Sequence, residues 1–333
     1  MRAVPPRTTR LATLAAAGLL ALAGCASSTG GRAAEEAAQA AKAGRASTPT
    51  MTVALITHSG PGDTFWDIVR KGAEDAAQKD NITLEYAADP DGAGQANLVQ
   101  QAVDKKVDGI AVTLSKPEAM KANVEEAVKA GIPVTGLNGG LDVWKQYGLV
   151  GYFGQDEKIA GEEAGARLAK EGAKHVLCVI HEQGNVGHEA RCAGVKEKVP
   201  GTQILYVTGS DMPGVQSSLT SKLQQDKQID AVLTLGGPFA MTAITSVRDA
   251  SSKARIVTFD TSTDLINAIK AGSIAWAVDQ QPYLQGYLAV DALWLNKFNG
   301  NEIGGGQPVL TGPAFIDKSN VAAVEKYAKS GKR

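Results

Sequence analysis

The run Val176-Leu177-Cys178-Val179-Ile180 holds five apolar residues in succession with no polar residue between them. A strand with one solvated face would alternate, so an unbroken run is covered on both faces, as in a parallel sheet layered between helices. Runs of the same kind recur at residues 52–57, 82–87, 109–114, 133–137, 204–208, 231–235 and 256–259. Between them, apolar residues return at helical spacing, as in Ile68, Val69, Ala73, Ala76 and Ala77, or Leu98, Val99, Ala102 and Val103. The turns carry matching punctuation. In Lys129-Ala130-Gly131-Ile132-Pro133, the glycine suits a left-handed helix cap and the Ile-Pro step launches the next strand. This βα repetition, carried out twice, predicts an α/β fold of two doubly wound parallel-sheet lobes.

Outward from that core, the N-terminus reads as an export signal. Arg2, Arg7 and Arg10 precede an apolar run from Leu11 to Ala23, and Leu22-Ala23-Gly24-Cys25 follows. About 13 such residues are too few to span a ~30 Å hydrocarbon core, so 1–24 is expected to be a removed signal peptide and not a membrane helix. Residues 25–50, rich in Ala, Ser, Gly and charge, are expected to form a flexible tether. With Lys+Arg 34 against Asp+Glu 35 and a formal net charge of -1, the chain has no basic footprint for nucleic acid. A small neutral partner fits better.

Cys178 and Cys192 lie fourteen residues apart, one in an apolar run and one near the start of the next helical stretch. An exported location permits a strand-to-helix disulfide between them, and two buried thiols are the alternative. Four scattered histidines offer no zinc-type spacing, so no metal and no cofactor is expected.

In open parallel sheets, ligands bind beyond the carboxyl ends of strands. After the first strand come His58 and then Asp63-Thr64-Phe65-Trp66, whose adjacent aromatics suit the C–H face of a sugar ring while Asp63 accepts from a hydroxyl. The same residues could equally be a helix cap followed by two core aromatics. The second half supplies His181, Glu182 and Arg191 after one strand, Asp260 after another, and Gln280 after Trp276-Ala277-Val278-Asp279. Asp260 could alternatively cap the next helix, and Arg191 could be a solvated helix residue. Asn138 and Gln155 complete the polar positions.

In this order the pieces resemble the ribose-type periplasmic binding proteins that feed sugars to ABC transporters. The resemblance covers about residues 51–327 and rests on Asp63-Thr64-Phe65-Trp66 before Gly72, Val107-Asp108-Gly109-Ile110, Ala130-Gly131-Ile132-Pro133-Val134 and Gly154-Gln155-Asp156 before Ala160-Gly161. Arg191 before Gly194, Val257-Thr258-Phe259-Asp260, and Asp279-Gln280-Gln281-Pro282 before Gly286 complete it. It implies ligand contacts at Phe65, Trp66, Arg191, Asp260 and Gln280, with Asp63 where the family often has Asn. Asn138-Gly139 stands in place of the Asp-Arg pair of ribose binders, and Gly236-Gly237-Pro238-Phe239 in place of a usual Asn-Asp pair. With His58 and His181-Glu182 as local replacements, these departures point away from ribose and toward a hexose, polyol or modified sugar.

The resemblance further implies one lobe from 51–155 plus 281–308, another from 156–280 plus 309–333, and hinge crossovers near Gln155, Gln280 and Pro308. Cys25 matches the acylated cysteine of a lipobox, so the expected protein is a monomeric, membrane-anchored, extracytoplasmic binder. It would deliver a sugar or polyol to an ABC permease and catalyse nothing. The rival readings are a ligand-presenting receptor for a membrane sensor and an exported glycoside-acting enzyme. A lactose-repressor-type regulator would need a DNA-binding head where this chain has a signal and a tether. The enzyme reading lacks a Gly-x-Ser-x-Gly elbow, a His-Glu-x-x-His pair and a phosphate loop.

Overall fold

The computed structural model describes residues 44–60 and 63–333. The expected signal peptide, Cys25 and most of the expected tether lie outside the described residues. The elements run β1 (Met51–Thr57), α1 (Thr64–Lys79), β2 (Ile82–Ala88), α2 (Gly92–Asp104), β3 (Gly109–Thr113), α3 (Pro117–Lys129), β4 (Val134–Leu137) and β5 (Gly151–Gly154). They continue with α4 (Glu157–Lys170), β6 (Val176–Ile180), α5 (Val186–Lys198), β7 (Gln203–Tyr206), α6 (Met212–Gln225), β8 (Ala231–Thr234), α7 (Gly237–Asp249), β9 (Arg255–Phe259), α8 (Thr263–Ala271) and β10 (Trp276–Asp279). The chain closes with α9 (Pro282–Asn299), β11 (Val309–Leu310), β12 (Ala314–Asp317) and α10 (Val321–Lys329).

Two six-stranded sheets result, ordered β11-β5-β4-β3-β1-β2 and β12-β10-β9-β8-β6-β7. Every pairing is parallel except β10 with β12. The two expected parallel-sheet lobes are present, and each sheet has apolar side chains packed on both faces. That double coverage is why the inner strands are continuously buried, while the edge strands β2 and β7 are partly exposed and β7 alternates.

The chain crosses between the sheets after β5, after β10 and after β11. Val309 and Leu310 pair with Phe153 and Gly154 in the first sheet, so the third crossover is Thr311–Pro313 and not the vicinity of Pro308. A two-residue strand gives no sequence pattern, and only its pairing places it. The tether boundary also moves. The Ala46 N–H donates to the Lys79 carbonyl at 2.8 Å, Asn81 Nδ2 donates to the Thr48 carbonyl at 2.9 Å, and Trp294 Nε1 to Thr48 Oγ1 at 3.0 Å. Residues 46–50 are therefore tied to the first lobe.

Glycines set the closest helix contacts in each lobe. A Cβ on Gly72 would lie 1.9 Å from the Tyr283 carbonyl oxygen, and one on Gly286 would lie 1.9 Å from that of Val69, so α1 and α9 touch backbone to backbone. In the second lobe a Cβ on Gly161 would lie 2.2 Å from the Arg191 carbonyl oxygen and one on Gly194 2.6 Å from that of Lys158, which brings α4 against α5. Cys178 on β6 and Cys192 on α5 are joined in a disulfide, with Cα atoms 5.9 Å apart, so α5 is also tied to the sheet. Gly286→Ala is expected to destabilise the fold by about 1–3 kcal/mol or more, because rigid backbone on both helices must part. Denaturant unfolding of that variant at the wild-type midpoint would refute this account of the crossing.

Candidate ligand-binding site

The carboxyl ends of the strands of both sheets border one cavity of about 690 Å³. Pockets of roughly 300–1,000 Å³ hold small organic ligands. From the first lobe, His58 follows β1, where its backbone N–H and Nδ1 lie 3.2 and 2.7 Å from the Thr113 hydroxyl at the end of β3. Asp63 caps α1, accepting from the Phe65 N–H at 3.1 Å. Phe65 and Trp66 stand edge to face with ring centres 4.9 Å apart, and the His58 ring meets Trp66 edge-on at 4.7 Å. Both aromatics border the cavity and are also packed in the first lobe's core, so the two readings offered by the sequence describe the same side chains.

From the second lobe, His181 stacks on Phe239 with ring centres 3.8 Å apart and planes 17° from parallel, and His188 packs at 4.4 Å from His181. Beneath this wall Arg191 is buried. Its guanidinium forms a forked pair with Glu157, one arm at 2.8 Å, and lies 4.5 Å over the Phe259 ring. The fork is available because Glu157 opens α4 and the glycine crossing brings that helix against α5. Arg191 is thus a buried, paired group and not a solvated helix residue.

Where the lobes join, amides run in a chain. Asn138 Nδ2 donates to Gln280 Oε1 at 3.1 Å, and Gln280 Nε2 donates to Asp260 Oδ1 at 2.7 Å. Gln285 Nε2 supports Gln280 Oε1 at 3.0 Å. Asn138 and Asp260 both take left-handed backbone conformations, φ +63° and +70°, which Asn and Asp tolerate better than most residues. Asp260 does not cap α8, because Ser262 fills that place through the Leu265 N–H.

Ten of the eleven residues singled out in the sequence border the cavity: His58, Asp63, Phe65, Trp66, Asn138, His181, Glu182, Arg191, Asp260 and Gln280. Gln155 does not. It is fully buried behind the wall and donates to Glu157 Oε2 at 2.8 Å, so it orients the carboxylate that holds Arg191. His188, Phe239, Lys116 and the segment 206–212 also border the cavity and were not anticipated. Phe239 had a visible signal, since it ends the Gly-Gly-Pro-Phe segment that departs from the family pattern. Lys116 had none, because its partner is on the other lobe.

Burial governs the electrostatics. It pushes the Asp260 carboxyl up to about 7 against the opposing pull of Arg191 and Gln280, and Asp63 up to about 6 against its helix-capping bond. It pulls His181 down to about 3, aided by Arg191, and lowers His58 and His188 as well. The imidazoles are therefore neutral at pH 7. Among the described residues no group of three His, Cys, Asp or Glu side chains converges as a metal site. The wall can offer aromatic faces, a fixed guanidinium and carboxylates that accept from hydroxyls, a set suited to a neutral polyhydroxylated ring.

At the mouth, Glu182 reaches across the lobes, 3.8 Å from His58 Nε2 and 3.4 Å from Lys116 Nζ, and the Val186 N–H donates to the Ser115 carbonyl at 3.0 Å. The lobes are in contact on both sides of the cavity. Removing the carboxylate with Glu157→Ala would strand the buried guanidinium, with an expected cost of about 3–5 kcal/mol. A thermal melt of Glu157→Ala coinciding with the wild type would rule out that role.

Residues 53–300 match the family model of the periplasmic binding protein domain. A carbohydrate transporter from Acidothermus cellulolyticus 11B, solved in complex with myo-inositol, is 55% identical, covers 86% of this chain and 100% of its own, and superposes with a TM-score of 0.85. A xylose/arabinose-binding protein of Sulfolobus acidocaldarius is 24% identical over 82% of this chain and 72% of its own length. The ribose import binding protein of Bacillus subtilis is 24% identical over 73% of this chain and 80% of its own. With the family model spanning most of its length and a two-lobed cleft between parallel sheets, this chain belongs to the periplasmic binding protein family, whose members similar to it are sugar-binding proteins of ABC transporters.

Proposed function

We propose that this protein captures a cyclitol such as myo-inositol, or a sugar of similar size, between its lobes and delivers it to the permease of an ABC importer. The observation that carries the reading is the convergence of Phe65, Trp66 and Asp63 from one lobe with Arg191 and Asp260 from the other on a single cavity. In this reading the aromatic pair packs on the ring's C–H face. Arg191 donates to ring hydroxyls, and Asp63 and Asp260 accept from them, each charge-assisted bond contributing about 1.5–3 kcal/mol. Asn138 and Gln280 orient Asp260, and the ligand draws the lobes together because it bonds to both. The 55% identical protein complexed with myo-inositol supports the ligand class. The Leu-Ala-Gly-Cys sequence supports export and anchoring of the mature chain through acylated Cys25.

Calorimetric titration of residues 26–333 with myo-inositol, other cyclitols, hexoses and pentoses tests the reading. A micromolar or tighter constant for a cyclitol or hexose is expected, and absence of binding to every one of them would overturn it. Trp66→Ala is expected to weaken that binding by about 1–3 kcal/mol. Wild-type affinity in the variant would leave Trp66 as a core residue alone.

The affinity should depend on pH through Asp260. Burial raises its carboxyl to about 7, and hydroxyls that donate to it favour the ionised form, so ligand binding lowers its pKa. Affinity is then full above pH 7 and falls by up to about tenfold per unit as the pH drops toward the lower value of the bound state. Asp260→Asn should bind more weakly and lose most of this slope. A flat wild-type profile between pH 5.5 and 8 would refute ionised Asp260 as the acceptor.

A further inference from the structure

The cavity is larger than a single ring needs. A cyclitol of six carbons and six hydroxyls fills roughly 200 Å³ at the packing density of protein interiors, against a cavity of about 690 Å³ in a molecule whose lobes already touch at Glu182–Lys116 and Ser115–Val186. The lining includes the polar set of Arg191, Asp260 and Gln280, taken as the inner end, and the stacked His181 and Phe239, against which the segment between β7 and α6 packs.

That segment is held in place. The Gly209 N–H donates to the His181 carbonyl at 3.0 Å, and a Cβ on Gly209 would lie 2.8 Å from that oxygen, so the loop passes directly over the end of β6. The cavity is also bordered by Ser210, Asp211 and Tyr206, a half-exposed residue whose hydroxyl donates to Glu189 at 3.0 Å. An aromatic, a hydroxyl and a carboxylate here offer the same residue types as Phe65, Trp66 and Asp63, on a more exposed part of the lining.

We propose that the outer end is a second sugar subsite, and that the protein takes a two-ring ligand: a cyclitol or sugar carrying one glycosyl substituent, the first ring at Arg191 and Asp260 and the second between Tyr206 and Ser210. This rests on the reading of the inner end as a polyol site. It gives the surplus volume an occupant of the same neutral, hydroxyl-rich chemistry.

The test is calorimetric titration of the mature chain with myo-inositol and with galactinol, a galactosyl myo-inositol. Ser210→Trp, at an exposed lining position, would fill the proposed second subsite, and Tyr206→Ala would remove its platform. Galactinol is expected to bind at least as tightly as myo-inositol. Ser210→Trp should weaken galactinol about tenfold or more, and Tyr206→Ala about fivefold or more, with both variants binding myo-inositol within about twofold of wild type. If myo-inositol binds and galactinol does not, or if either variant weakens both ligands equally, the second subsite is overturned while the inner site stands. If neither ligand binds but a hexose or pentose does, the two-ring cyclitol ligand is overturned while the inner site stands; if none of them binds, the polyol reading falls and the subsite with it.

Discussion

The buried pair between Arg191 and Glu157 is the constraint around which the second lobe is arranged. A guanidinium in this position is costly to desolvate, and only a carboxylate in forked register, with its remaining lone pairs bonded, makes it tolerable. Each requirement is met by a different piece of chain. Glu157 sits in the first turn of α4, where the helix N-terminus favours a negative charge, and Gln155 adds a second bond to the Oε2 that accepts from Arg191 Nε. Gly161 and Gly194 let α4 and α5 approach backbone to backbone, and the disulfide at Cys192, the residue after Arg191, ties α5 to β6. The guanidinium is thereby fixed before any ligand arrives, which limits the side-chain entropy lost on binding.

The same economy operates where the lobes join. A hinge must bend while its polar groups stay bonded, and an amide chain can do both because its members rotate without losing every partner. Gln280 lies at the second crossover and bonds at once to Asn138 of the first lobe and Asp260 of the second. Thr311, at the third crossover, donates to the Gln280 carbonyl at 2.7 Å and accepts from Gln285. Two of the three connections are therefore coupled through one side chain and its backbone.

The sequence revealed those features that follow from local burial. The inner strands β1, β3, β4, β6, β8 and β9 were legible because a strand covered on both faces is continuously apolar, whereas the edge strands β2 and β7 are partly exposed, and the strand-end rule then placed His58, Asn138, His181 and Asp260 beside a common space. The strands β5, β11 and β12 were not legible. Gly151-Tyr152-Phe153-Gly154 is bracketed by glycines, Val309-Leu310 is too short for a period, and Ala314–Asp317 pairs antiparallel with β10, against the prevailing direction. Phe65 and Trp66 posed two readings because a residue at the top of a helix can face its own core and a cleft together. The outer end of the cavity was hidden for a different reason. It forms where the loop after β7 passes over β6, and no spacing within either segment records that approach.

The bonds already made within the cleft bear on how the proposed site could be selective. Asp260 Oδ1 already accepts from Gln280, and Asp63 is committed to the Phe65 N–H through one oxygen. A carboxylate offers about four lone-pair sites, so each retains room for hydroxyls only along the directions its protein bonds leave open. Arg191 is restricted in the same way, since its fork with Glu157 occupies two of five donors. The proposed hydroxylated ring would therefore present its oxygens where three pre-committed groups still have free sites. In that mode an epimer that misplaces one oxygen would leave a buried polar atom unpaired, at a cost of about 1–3 kcal/mol, roughly a five- to 150-fold loss of affinity for a single inverted centre.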